Sequence, residues 1–75
     1  MRFRGQVLRR RVARGSKSER AAVVLRTGRR DYVLRRVGGH AMRDPELDAL
    51  IGHTVEGEGV VRDYVLLMSA WRIVD

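Results

Sequence analysis

The chain has 75 residues, no cysteine, one proline and a formal net charge of +7. So short a chain predicts one small domain, residues 1–75, with little core to spare. The missing cysteines exclude a disulfide framework or thiolate metal site as a supplement to that core. No apolar run approaches a membrane-spanning helix, and Met1, Arg2, Phe3 and Arg4 do not open a secretory signal. The expectation is a soluble, cytoplasmic protein with no membrane contact.

The charge is unevenly placed. Residues 1–36 hold 13 of the 16 basic side chains and two of the nine acidic ones, a balance of +11, against −4 for the remainder. Such a field gathers polyanions. Fifteen of the sixteen basic residues are arginine, which a GC-rich coding sequence would also produce. Codon bias accounts for the arginine count better than for the asymmetry.

The first strand is read from Arg2 to Arg14. Phe3, Gly5 and Val7 alternate with Arg2, Arg4 and Gln6, the period of a half-buried strand. The apolar phase then slips to Leu8 and Val12, which predicts a bulge near Leu8–Arg9 that bends the strand. Gly15-Ser16-Lys17-Ser18 is a turn. Arg20 to Thr27 is a second strand, apolar on both faces, so its inward side stays open. Gly28-Arg29-Arg30 makes a hairpin turn, and Asp31 to Val37 a third strand ended by Gly38-Gly39.

A helix follows. Asp44 suits its N-cap and Pro45 its first position, and Leu47, Leu50 and Ile51 recur at helical spacing over about two turns. Gly52 ends it in a left-handed conformation. Thr54 to Val61 is a fourth strand whose Gly57 and Gly59 permit a sharp bend. Arg62-Asp63 is a turn, and Tyr64 to Val74 the last and most apolar strand.

The order of strand, strand, strand, short helix, strand, strand resembles the OB-fold. The resemblance is one of element order over nearly the whole chain, and the phrase Leu50-Ile51-Gly52-His53-Thr54-Val55 to Gly59, then Leu66-Leu67, resembles the fold's last two strands. It implies a mostly β domain, a five-stranded OB-type barrel with one short helix between strands three and four. An SH3-like barrel is the nearest competitor but does not usually carry that helix.

Catalytic patterns are weak, and no enzyme activity or cofactor is expected. His40 and His53 belong to no spaced ligand set and read as solvent-facing caps. Ser16-Lys17-Ser18 lacks the second glycine and following helix of a phosphate loop, and Lys17 lacks the burial a serine–lysine dyad requires. Asp44, Glu46 and Asp48 stabilise the helix start rather than bind calcium. Glu56 and Glu58 share one strand face and could pair with neighbouring arginines.

The basic set remains. OB-type domains that bind oligonucleotides use the face of strands two and three, with the loops joining strands one to two and four to five. By that resemblance the candidate nucleic-acid contacts are Arg14, Lys17, Arg20, Arg26, Arg29, Arg30, Tyr32 and Arg36. Arginine grips phosphates through paired hydrogen bonds and stacks on bases. Aromatic platforms are few: Phe3 and Trp71 read as core, and Tyr32 points either outward or inward. Arg35 and Arg36 fall on opposite faces of one strand. The leading expectation is a non-enzymatic module that contacts single-stranded or structured nucleic acid. The alternative is a protein-interaction module, docking an acidic partner or associating with itself.

Overall fold

The computed structural model describes residues 1–12, 20–39 and 44–75, with the backbone alone for Val12 and Arg20. Its elements are β1 (Arg2–Val12), β2 (Arg20–Arg26), β3 (Asp31–Arg36), α1 (Pro45–Asp48), β4 (Thr54–Arg62) and β5 (Val65–Ile73). β1 pairs antiparallel with β2 through Gln6–Val12 and with β4 through Arg2–Gln6. β2 pairs antiparallel with β3, β3 runs parallel to β5, and β5 is antiparallel to β4. The five strands thereby form one sheet closed on itself in the order β1-β2-β3-β5-β4.

β1 changes partner from β4 to β2 at Gln6. The expected bulge near Leu8–Arg9 is absent, because the register with β2 runs unbroken from Gln6–Arg26 to Val12–Arg20. A Cβ on Gly5 would be driven into the Arg26 carbonyl, so glycine is what lets β1 and β2 close in at this change of partner. The irregularity lies instead between Glu58 and Gly59. Glu58 faces Ala70 and Gly59 faces Met68, leaving Ser69 as the extra residue. The Ser69 hydroxyl donates to the Glu58 carbonyl at 3.3 Å.

Alternation then sorts the side chains. Phe3, Val7, Leu25, Leu34, Val55, Leu66 and Met68 point inward and are buried together with Leu47 and Leu50. Val23, Tyr32, Ile51, Val61 and Trp71 pack against this core. The helix is shorter than its spacing predicts. Beyond Asp48 the chain continues in tight turns, with Leu50 N–H bonded to the Leu47 carbonyl at 3.0 Å. Gly52 has φ +93°, as expected, and its N–H bonds the Val7 carbonyl at 2.8 Å. That bond ties the turn to β1, so the chain leaves helical geometry early to meet the sheet. No helix among the described residues is long and apolar enough to cross a membrane.

Candidate nucleic-acid interface

The outer face of the sheet is ordered in rows by the strand registers. One row runs Leu8, Val24, Val33, Val65 and Arg62 across five strands. Although outward-facing, Val24 and Val33 are 3% and 6% exposed. Arg10 sits opposite Ala22, and Asp31 opposite Arg26. The Arg10–Asp31 ion pair therefore spans the outer side of β2 at the level of Val24. This is why β2 reads as apolar on both faces.

Folding draws much of the first-half charge into pairs with acids of the second half. Arg2 Nε lies 3.1 Å from Glu58 and Arg4 3.9 Å from Glu56, which also pairs with Arg72. Arg9 reaches Asp48 at 3.0 Å. The expected pairing of Glu56 and Glu58 with neighbouring strands is thus present. The hydrogen bond from Arg72 holds the Glu56 carboxyl below its ordinary pKa, reinforced by the charges of Arg72, Arg4 and Arg2.

The candidate residues divide between the two ends of the sheet. Arg26 ends β2 on the outer face, with Nε 3.8 Å from Asp31. Arg29 and Arg30 stand exposed in the β2–β3 turn, where the Thr27 hydroxyl accepts both their backbone N–H groups at 3.2 Å. Arg20 opens β2 at the opposite end. Arg36 is also at that opposite end and is engaged by the helix cap. Its Nε donates to Asp44 Oδ1 at 2.9 Å and lies 3.6 Å from Glu46. Asp44 in turn accepts from the Glu46 backbone N–H at 3.2 Å, so Arg36 anchors α1. Tyr32 packs against the core, and the inward alternative is the one adopted. Arg14 and Lys17 lie outside the described residues.

Two further residues join the hairpin end. The β4–β5 turn falls at Asp63–Tyr64, one residue later than expected. Val33 N–H donates to the Tyr64 carbonyl at 2.8 Å, placing this turn beside the start of β3. Arg62 and Tyr64 therefore stand at the same end of the sheet as Arg29 and Arg30. Tyr64 is 65% exposed. Among the described residues, Arg29, Arg30, Arg35 and Arg62 have no acidic partner. A signal for Tyr64 was present in the sequence, in the loop joining strands four and five, but placing Tyr64 inside the last strand hid it.

His53 Nδ1 and Asp75 Oδ1 form a surface pair at 3.1 Å, and that hydrogen bond, with one from Thr54, lowers the Asp75 pKa. His40 lies outside the described residues. Among the described residues no group of three His, Cys, Asp or Glu side chains is placed to hold a metal ion. No protein-family model, curated protein or solved structure matches this chain.

Proposed function

We propose that the chain is a non-enzymatic binding module of the OB type that contacts single-stranded nucleic acid, chiefly through phosphates. Its order of strand pairing, with a helix between β3 and β4, supports the fold part of the reading. The observation that carries the function is the hairpin end of the sheet. There, among the described residues, Arg29, Arg30 and Arg62 lack acidic partners and stand with the exposed ring of Tyr64. Unpaired guanidinium groups keep their full field for phosphate, and an exposed phenol offers a stacking surface for an unpaired base. The charge-paired arginines of β1 and β5 are structural in this reading.

Fluorescence anisotropy with labelled DNA and RNA oligomers at two salt concentrations tests it. Arg29→Gln with Arg30→Gln should lower affinity and reduce the salt slope by about 1 to 2, on the order of 0.7 for each phosphate no longer neutralised. Arg2→Gln, which removes an exposed charge from a Glu58 pair, should change affinity much less. Absence of binding at low salt, or equal losses from both changes, overturns the proposal.

A further inference from the structure

The described residues include six exposed large apolar side chains, and four of them lie near one another, three on one outer face of the sheet and one in the adjoining β4–β5 turn. These are Val37, Val60, Tyr64 and Leu67. Val60 pairs with Leu67 across β4 and β5, and Leu67 sits beside Arg35 across the parallel pair. Val37 N–H bonds the Met68 carbonyl at 2.8 Å, which brings Val37 alongside. Tyr64 closes the turn that opens β5. The outward side of a small sheet normally carries polar residues at these positions, yet Val60 and Leu67 are 66% and 41% exposed.

The rim carries charges that the chain itself leaves unmatched. Arg35 and Arg62 have no acidic partner, and Asp63 is the one described acidic residue with no cationic partner. A two-fold contact uses the same patch on both copies, so every contact of one residue with another occurs twice. Arg35 of one copy can then meet Asp63 of the other, around an apolar centre of Val60 and Leu67. We infer that this face is the contact with a second copy of the chain.

The size of the patch sets the strength. The four apolar residues expose on the order of 400 Å² per copy, about half of what a standard interface buries on each partner. The dimer is therefore weak and reversible. Each copy carries +7, so the copies repel when the screening length is about 30 Å at 0.01 M salt and much less when it is about 8 Å at 0.15 M. Association strengthens with salt, the reverse of nucleic-acid binding, and it covers the Tyr64 ring that nucleic-acid binding would use.

Sedimentation equilibrium of the full chain, up to millimolar concentration at both salt levels, tests this. A dimer that grows at the higher salt is expected. Leu67→Asp should weaken it at least tenfold and Asp63→Asn several-fold, while Ile73→Ser, at an exposed apolar residue elsewhere, leaves it unchanged. Val60→Asp provides a second disruption should Leu67→Asp fail to fold. A monomer at every concentration and salt level overturns the inference and leaves the face to a partner of other chemistry. A dimer that survives both aspartate variants overturns it equally.

Discussion

The two walls of this closed sheet use arginine in opposite ways. On the wall formed by the first half of β1 with β4 and the end of β5, arginine alternates with glutamate. Arg2 faces Glu58, and Arg4 and Arg72 flank Glu56. On the wall formed by β2, β3 and the start of β5, an apolar row occupies the outer face. There, among the described residues, Arg29, Arg30, Arg35 and Arg62 stand without acidic partners. Net charge along the sequence is thus a poor map of net field on the surface. Pairing cancels the first wall locally and leaves the excess at one end of the second, where a polyanion would feel it most.

The joint between the walls is the most sensitive point. Gly5→Val would push a branched side chain against the Arg26 carbonyl and prise β1 from β2. A loss of about 3 kcal/mol is expected in denaturant unfolding. A cost below about 1 kcal/mol would show that the walls can separate there freely.

Next in size is the contrast between a partnered and an unpartnered arginine. Arg36→Met strands the buried Asp44 carboxylate and should cost about 2 kcal/mol, less than for a fully buried pair because Arg36 is partly exposed. Arg29→Met should stay within about 0.5 kcal/mol. Equal costs in thermal or urea unfolding would erase the distinction drawn between the two kinds of arginine.

Asp63, in the turn that ends the second wall, has φ 56°. Aspartate tolerates that left-handed conformation better than a branched residue does. Asp63→Val should lose about 1 to 2 kcal/mol while Asp63→Gly is neutral or stabilising. The reverse order in the same unfolding assay would mean that the turn does not depend on this backbone conformation.

The smallest effect belongs to the paired wall. Glu56 titrates below an ordinary glutamate because of Arg72. Its folded pKa is the depressed one, so its contribution is present above the unfolded pKa and fades as pH falls through the folded value. In Arg72→Ala the Glu56 carboxyl should move up toward the ordinary value, read by NMR titration. An unmoved Glu56 would place the cause with Arg4 and Arg2 instead.

Much of the layout was readable because it is local. Strand alternation, the Pro45 start and the left-handed Gly52 depend on neighbours a few residues away, and these expectations match the structure within a residue or two at most ends. The bulge was misplaced because the slip from Val7 to Leu8 looks the same whether a bulge causes it or an outward apolar row does. The extra residue is Ser69, in a strand where the apolar run masks any phase change. Tyr32, left open between outward and inward, and Tyr64, placed inside the last strand, could not be assigned for a related reason. Side-chain direction within a strand follows from alternation, but which parity faces inward is set by closure.

From the sequence alone came the mostly β character, the element order and the excess of arginine in the first half. Those follow from periodicity, turn chemistry and composition, which need no knowledge of distant contacts. Tertiary structure alone decided which arginines are neutralised, and therefore where Arg29, Arg30, Arg62 and Tyr64 gather. The partners that cancel Arg2, Arg4, Arg9 and Arg36 come from 8 to 56 positions away, and only the register of a closed sheet and the docking of α1 bring them within reach.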